Sequence, residues 1–182
     1  MDIFSYIFML WGISEIILNA VARSKAGKSE AKDKGSIAII WITLSVSIFA
    51  GVLIAVNFPA FGKSQTAAGA ALVVAGVIFR WFAIFSLGKM FTTNVSIQND
   101  HKLKTDGLYG ILRHPSYTGS LMSFLGLGIS LGNIYSLIVV FVPVTASFLY
   151  RIKVEEDALT EHFKEEYIRY KSRTKKLIPY IF

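Results

Sequence analysis

The sequence predicts an all-α integral membrane bundle of about five transmembrane helices, followed by a cytoplasmic helical segment. Of the 182 residues, 53% are hydrophobic and only 17% are charged, whereas soluble domains usually carry about a quarter charged residues. The apolar residues come in long blocks, and lysine and arginine are concentrated in alternate segments between those blocks. The sequence contains no cysteine, which excludes disulfides, thiolate metal sites and cysteine nucleophiles.

The first three apolar blocks each approach the ~20 residues that an α-helix needs to cross the hydrocarbon core. They cover residues 3–21, 37–58 and 66–87. Since no basic residue precedes the first block, we expect a retained span and not a signal peptide. This block carries Glu15, and the third block carries Arg80. Such charges are costly in lipid, so we expect an ion pair, snorkelling of Arg80 to the interface, or a polar site.

Two shorter apolar blocks follow, at residues 117–131 and 134–150. Each alone could be a buried helix of a soluble protein, but only Gly132-Asn133 separates them, which predicts a tight helical hairpin. Small residues recur in the third and fourth blocks and let helix backbones approach closely. They are Ala67, Ala68, Gly69, Ala70, Ala71, Ala75, Gly76, Gly119, Gly126 and Gly128. Gly126-Leu127-Gly128 lacks the third glycine and the preceding strand of a dinucleotide-binding loop, so helix packing is its predicted role.

The distribution of lysine and arginine predicts the orientation in the membrane. The segments 22–35, 59–65, 88–116, 132–133 and 151–182 hold 5, 1, 4, 0 and 8 basic residues. This alternation predicts five spans, with the N-terminus outside and the C-terminus in the cytoplasm. It also accounts for the net charge of +7 without a nucleic-acid partner. The segments 88–116 and 151–182 are longer than simple connectors, so we expect function there.

The densest polar cluster lies between residues 100 and 119. Pro115 suits the first turn of a helix, which predicts that Arg113 and His114 lie at the mouth of the fourth span. Helix N–H groups and the positive dipole end favour an anion there, and the Arg113 fork can hold a carboxylate in two bonds. A basic collar at the membrane interface, with Tyr117 as an ordinary anchor, explains the same pattern. The residues alone leave both interpretations open.

A second polar cluster follows the fifth span. Arg151 and Glu155 are four residues apart and share a helix face, and Glu156 continues the acidic run. An arginine at the end of an apolar span, with an acid one turn further, is typical of a polar cavity, although a surface ion pair has the same spacing. A helical stripe follows and predicts packing on the membrane face. Its members are Leu159, Phe163, Tyr167 and Tyr170.

Together these residues resemble the isoprenylcysteine carboxyl methyltransferase family, within a superfamily that includes phospholipid N-methyltransferases. The resemblance covers about residues 86–180, and the first two spans match only in character. The motifs are His101-Lys102-Leu103, Gly107-x-Tyr109, Arg113-His114-Pro115-x-Tyr117-x-Gly119, Glu155-Glu156 and Phe163-x-x-Glu166-Tyr167-x-x-Tyr170 through Pro179. The chain is similar to the compact prokaryotic members, which lack additional N-terminal spans of the eukaryotic enzymes. This similarity implies a prokaryotic inner membrane.

The resemblance implies S-adenosylmethionine as the methyl donor, with S-adenosylhomocysteine as product and no metal. The cofactor pocket would be cytoplasmic, formed by residues 101–117 and the helix after the fifth span. A lipophilic or lipidated acceptor would enter sideways from the membrane lipids. The residues implied to bind the cofactor are His101, Lys102, Leu103, Gly107, Tyr109, Arg113, His114, Tyr117, Glu155 and Glu156. Of these, Arg113 and His114 would bind the cofactor carboxylate, and Glu155 or Glu156 its ammonium or ribose hydroxyls.

Arg151 and Glu155 are the catalytic candidates that the resemblance implies. A carboxylate acceptor is already an anion and needs no general base, so catalysis would rest on positioning in a dry site. Arg151 would orient that carboxylate. An amine acceptor would instead have to lose a proton, which a nearby carboxylate could take. An oxygen, nitrogen or sulfur acceptor stays open, as does a non-enzymatic membrane scaffold that binds anionic lipid through residues 169–176.

Overall fold

The computed structural model describes residues 3–25, 35–58, 63–88 and 103–182. In these ranges the chain forms six α-helices. They are α1 (Ile3–Lys25), α2 (Gly35–Asn57), α3 (Lys63–Leu87), α4 (Pro115–Ser130), α5 (Ile134–Phe163) and α6 (Glu165–Arg173). A short 3₁₀ turn, Gly107–Gly110, precedes α4. The described residues form no β-strand, and their extended pairing is limited to an isolated parallel bridge between Leu112 and Lys175. The predicted all-α class is therefore confirmed.

Three of these helices are long and apolar enough to cross a membrane, namely α2, α3 from Gln65 onward, and α5. The apolar part of α1, Ser5–Leu18, is shorter. Helix α4 has 16 residues and therefore extends roughly 24 Å at 1.5 Å per residue, somewhat less than the ~30 Å hydrocarbon core. By length, α4 is thus the marginal member of the five predicted spans, since α1 as a whole has 23 residues, as many as α2.

The structure joins the fifth predicted span to the segment after it. Helix α5 has 30 residues and continues without interruption from the apolar residues before Arg151 to Phe163. Its polar part therefore projects roughly 20 Å beyond Tyr150. The predicted hairpin between α4 and α5 is confirmed, because Gly132 takes a φ of 67° and the Asn133 side chain caps α5 by accepting from the Tyr135 N–H over 2.8 Å.

Glycines bring α3 and α4 into backbone contact. A Cβ built on Gly126 would lie 2.6 Å from the carbonyl oxygen of Gly69, and one built on Gly76 would lie 2.6 Å from that of Gly119. Ser123 Oγ adds a hydrogen bond to the Val73 carbonyl over 3.2 Å. The packing role predicted for these glycines is confirmed. The alanines at 67, 68, 71 and 75 are exposed instead, since they lie on the other faces of α3.

Helices α2 and α5 run antiparallel to each other. Ser136 Oγ donates to the Gly51 carbonyl over 2.9 Å near one end of the pair. At the other end, Arg151 Nη1 donates to Ser36 Oγ over 2.6 Å. The contact of Ser36 therefore places the beginning of α2 beside the polar part of α5.

An ion pair joins α1 to α3 and α4. Arg80 Nε lies 3.0 Å from Glu15 Oε1, and Arg80 Nη1 donates to the Ser116 carbonyl over 3.1 Å and to Ser120 Oγ over 2.6 Å. Of the interpretations open from the sequence, the structure thus shows pairing. The Trp11 ring, one turn before Glu15, lies 5.0 Å from the Phe124 ring, two turns into α4, so α1 runs antiparallel to α4. With the contacts between α3 and α4 and between α2 and α5, this means that α1, α3 and α5 end, and α2 and α4 begin, at the same end of the bundle. We call this the polar end.

Candidate functional site

Glu156 is the centre of a buried charge cluster at the polar end. Its carboxylate lies 2.8 Å from Arg113 Nε, 3.2 Å from His114 Nε2 and 3.4 Å from Lys171 Nζ. Burial raises the pKa of Glu156, but the hydrogen bonds from His114 and Arg113 and their charges outweigh burial and hold that pKa at about 2. The carboxylate is therefore ionised at neutral pH and joins α5 to α6 and to the residues before α4.

Residues 174–182, which we call the tail, pair with the segment before α4. The Arg113 N–H donates to the Lys175 carbonyl over 2.8 Å, and the His114 N–H donates to the Lys176 carbonyl over 3.2 Å. The Arg113 guanidinium also binds the Thr174 carbonyl. Helix α4 does begin at Pro115 as predicted. The backbone N–H groups of Arg113 and His114, however, contact tail carbonyls, and those of Tyr117 and Thr118 in the first turn donate to the His114 carbonyl. The Arg113 and His114 side chains are therefore the groups that could contact an anion there.

A second polar group lies one helical turn closer to the membrane. Tyr117 Oη donates to Glu155 Oε2 over 3.2 Å. Arg151 is only 3% exposed, and its guanidinium lies beside both Ser36 and the Tyr117 hydroxyl. Glu155 is half-buried, whereas Glu156 is buried. The His114 and Tyr117 rings, 5.9 Å apart, connect this group to the Glu156 cluster.

The 3₁₀ turn before α4 is held between α3 and α6. Tyr109 Oη donates to the Ala83 carbonyl over 3.3 Å, and Tyr170 Oη donates to the Tyr109 carbonyl over 2.7 Å. Burial raises the pKa of both tyrosines. Gly107 begins the turn with a φ of 59°, a conformation that favours glycine. Tyr109 thus has a structural role, whatever else it contacts.

The structure brings together most of the residues that the sequence analysis selected. The Glu156 cluster contains Arg113 and His114, and the second group contains Tyr117, Arg151 and Glu155. Gly107 and Tyr109 form the adjoining turn, and Leu103 is half-buried just before it. His101 and Lys102 lie outside the described residues.

Tyr167 is a further candidate, which the sequence analysis placed in the packing stripe and in the last family motif but not among the site residues. Its side chain is 1% exposed, and its hydroxyl has no hydrogen-bond partner among the described residues. Burial raises the pKa of Tyr167, and the charges of Glu156 and Glu155 add to that shift. A buried hydroxyl without a partner is unfavourable, and this one lies near both acids. It is therefore a donor that a ligand could satisfy.

Comparison with known proteins now identifies the family. The sequence model of the isoprenylcysteine carboxyl methyltransferase (ICMT) family matches residues 69–161, slightly more than half of the 182-residue chain. The chain belongs to this family. The match includes Arg113, His114, Tyr117, Arg151, Glu155 and Glu156 but ends before α6, so Tyr167 and Lys171 lie outside it.

Individual ICMT relatives agree with this assignment. Protein-S-isoprenylcysteine O-methyltransferase B of Arabidopsis thaliana is 36% identical over 115 residues, which are 62% of this chain and 58% of the relative. The Saccharomyces cerevisiae protein-S-isoprenylcysteine O-methyltransferase is 36% identical over 121 residues, covering 65% of this chain and 51% of the relative. The chain thus spans about half the length of these curated relatives.

A solved ICMT structure shows the same fold. The eukaryotic intramembrane Ras methyltransferase ICMT aligns with a TM-score of 0.66 and 24% sequence identity, over 96% of this chain and 67% of that one. The alignment covers both the bundle and the polar segments, so the arrangement described here is a membrane-embedded ICMT fold.

Proposed function

We propose that this chain is an S-adenosylmethionine-dependent methyltransferase that esterifies the carboxylate of a lipidic, isoprenylcysteine-like acceptor. One observation carries the proposal: Arg151, Tyr117 and Glu155 lie together at the polar end, where apolar helices meet charged segments. An acceptor with an apolar tail and a polar head needs this boundary. Membership of the ICMT family supports the reaction class, and the names of the relatives support the acceptor class.

The residues at the polar end fit the polar groups of S-adenosylmethionine. This cofactor carries an ammonium, a carboxylate, ribose hydroxyls and a sulfonium. Glu155 is half-buried and accepts from Tyr117, so its carboxylate can also accept from an ammonium or hydroxyl. The Tyr167 hydroxyl has no partner among the described residues and can donate to a ligand. The ligand thus meets a half-buried acceptor, the Glu155 carboxylate, and a buried donor, the Tyr167 hydroxyl.

Of the two adjacent acids, Glu155 is the better ligand contact. Two cationic side chains, Arg113 and Lys171, and the His114 ring already surround Glu156, and moving Glu156 would leave the two cations without their counter-charge. In our proposal Glu156 therefore holds Arg113 and His114 in place. Arg113 binds the cofactor carboxylate through Nη2, because its Nε and Nη1 contact Glu156 and two backbone carbonyls. His114 donates to the same carboxylate through Nδ1 when its ring is protonated, because Nε2 already contacts Glu156. Leu103 and Tyr109 belong to the adenine and sulfonium region, while His101 and Lys102, which lie outside the described residues, stay predicted cofactor contacts.

The proposed chemistry is an in-line displacement. When bound, S-adenosylmethionine supplies a methyl group on a positively charged sulfur. Arg151 holds the acceptor carboxylate with its planar fork, which matches a carboxylate in two bonds. Arg151 is buried away from water, and a dry site favours a reaction in which opposite charges neutralise each other. Since the acceptor is already an anion, no residue has to remove a proton, and orientation supplies most of the effect.

We also propose that the polar end faces the cytoplasm. The basic segments 22–35, 88–116 and 151–182 all adjoin it, and the segments at the opposite end hold few basic residues. The described helices alternate in direction as such a five-span arrangement requires. Placement in a prokaryotic inner membrane stays a prediction, since the matched relatives named above are eukaryotic.

One experiment tests cofactor and acceptor together. Purified protein is given S-adenosylmethionine labelled in the methyl group, with an isoprenylcysteine analogue or a lipid amine as acceptor. We expect transfer to the isoprenylcysteine carboxylate and release of the label by mild alkali, because methyl esters hydrolyse and methylamines do not. Alkali-stable label on the amine would support an N-methyltransferase. Absence of saturable S-adenosylmethionine uptake in equilibrium dialysis would instead favour the scaffold.

A further inference from the structure

We infer that residues 175–182 form a membrane-docking surface that binds the anionic headgroups of the leaflet at the polar end. The surface combines exposed apolar side chains with lysines at the depth of the membrane interface. Its occupant is the protein's own bilayer, and the inference is independent of the methyltransferase reaction.

The depth of this surface follows from two hydrogen bonds. Thr118 Oγ1, in the first turn of α4, donates to the Leu177 carbonyl over 2.7 Å. The same turn of α4 is level with Arg80, because Arg80 Nη1 donates to the Ser116 carbonyl over 3.1 Å. Helix α3 continues for seven residues beyond Arg80, to Leu87, which is roughly 10 Å. Leu177 therefore lies beside the helices and not beyond their ends.

The side chains at this depth face lipid. On α3, Phe82 and Phe85 are 62% and 70% exposed, as expected of positions that contact hydrocarbon. On the tail, Tyr180 and Ile181 are 85% and 75% exposed. Large apolar side chains with such exposure at interface depth continue the lipid-facing surface of the bundle, and tyrosine is enriched at this level of a membrane.

The tail presents these side chains from a closed turn. The N–H groups of Leu177 and Ile178 donate to the Phe182 carbonyl over 2.7 Å and 2.6 Å, and the Phe182 N–H donates to the Ile178 carbonyl over 3.1 Å. Tyr180, at the tip, has a φ of 64°. Because the backbone hydrogen bonds within the turn, it can enter the interface without leaving these groups unpaired.

The positive charge of the same segment favours anionic lipids. Residues 167–182 contain five basic residues and no Asp or Glu. Lys175 is exposed, and Lys176 Nζ lies 5.1 Å from the centre of the Phe182 ring. Basic residues beside an apolar interfacial segment bind the anionic lipids of the cytoplasmic leaflet. Docking also restrains the segment whose carbonyls hold the Arg113 and His114 backbone.

The absence of cysteine from the sequence allows a direct test. Ile181→Cys carries a nitroxide label in vesicles of phosphatidylcholine with or without phosphatidylglycerol, and power-saturation spectroscopy compares its access to oxygen and to a water-soluble nickel chelate. Glu165→Cys, exposed at the start of α6, is the matched control. We expect oxygen to dominate at position 181 and nickel at position 165. We further expect phosphatidylglycerol to deepen the label at 181.

Two results would overturn the inference. Nickel access at position 181 equal to that at 165 in both vesicle types would show that the tail lies in water. A depth at 181 that does not change with phosphatidylglycerol would remove the anionic headgroup from the proposal. In the variant with Lys175→Gln and Lys176→Gln, we expect loss of the phosphatidylglycerol dependence. Retention of the full dependence would exclude these lysines as the headgroup contacts.

Discussion

Arg113 Nε donates to Glu156 Oε1 over 2.8 Å, although the two residues are 43 positions apart in the sequence. The bond connects the segment before α4 to the polar part of α5, and His114 contacts the same carboxylate oxygen. Glu155 instead accepts from Tyr117. Two adjacent acids thus have different partners, which leads to different expected effects of their substitution.

Glu156→Gln should destabilise the protein, and Glu155→Gln should weaken cofactor binding. The first change removes the buried counter-charge of Arg113 and the carboxylate that His114 contacts, a loss of roughly 3–5 kcal/mol when one partner of a buried pair is removed. The second removes a proposed ligand contact of about 1.5–3 kcal/mol. Thermal unfolding and calorimetric titration with S-adenosylmethionine on both variants form a matched comparison. Equal loss of stability in the two variants would contradict the assignment of a structural role to Glu156 and a ligand-binding role to Glu155.

The stability of the protein should fall in acid through Glu156. The pKa of this carboxyl is lowered from 4.5 to about 2 in the folded state. A lowered folded-state pKa contributes stability above the unfolded value of 4.5, and that contribution is lost as the pH falls towards 2. We expect the unfolding midpoint of the wild type to fall between pH 5 and pH 3 more steeply than that of Glu156→Gln. Parallel curves for the two proteins would argue against this assignment.

Arg151→Lys should separate acceptor orientation from cofactor binding. Lysine keeps the charge but loses the planar fork, so the change is not conservative at a site with two parallel bonds. We expect nearly normal affinity for S-adenosylmethionine and methyl transfer at least roughly tenfold slower, which is about 1.4 kcal/mol on the barrier. Ser36→Ala is the control, because it removes the hydrogen bond that Arg151 makes to α2 and keeps the guanidinium. Loss of cofactor affinity in Arg151→Lys would place this residue in the donor site.

Gly76→Ala should destabilise the bundle, whereas Gly12→Ala should not. The new Cβ at position 76 would lie 2.6 Å from the Gly119 carbonyl oxygen, and nothing lies within 4 Å of a Cβ at position 12. Overpacking of this kind costs about 1–3 kcal/mol. Unfolding midpoints in the same detergent compare the two variants. A midpoint for Gly76→Ala that matches Gly12→Ala would mean that α3 and α4 separate easily.

Single cysteines should report the predicted topology. Ser29→Cys and Ser172→Cys lie in the basic segments, and Asn57→Cys lies at the exposed opposite end of α2. In intact cells an impermeant thiol reagent should label position 57 alone, and all three should react after lysis. Labelling of positions 29 and 172 from opposite sides would reject the five-span arrangement.

The helices could be predicted from the sequence because apolar blocks and basic loops are local patterns. The continuation of α5 past Tyr150 was missed as a single element, since the composition changes at Arg151 while the helix does not. The predicted site residues do gather at the polar end. Their partners could not be predicted, because the bonds of Glu156 join segments that are distant in the chain. Periodicity placed Tyr167 in a stripe, but it contains no information on where the hydroxyl points.

The glycines between α3 and α4 also restrict where the two helices can meet along their lengths. Gly69 faces Gly126 and Gly76 faces Gly119, and each helix has its two glycines seven residues apart. Sliding one helix by seven residues would leave only one facing pair, so a single alignment satisfies both. An insertion between Gly69 and Gly76 would therefore need a matching insertion between Gly119 and Gly126. The same alignment brings Arg80 beside the Ser116 carbonyl at the polar end. The glycine spacing therefore also sets the depth of the polar end relative to the membrane.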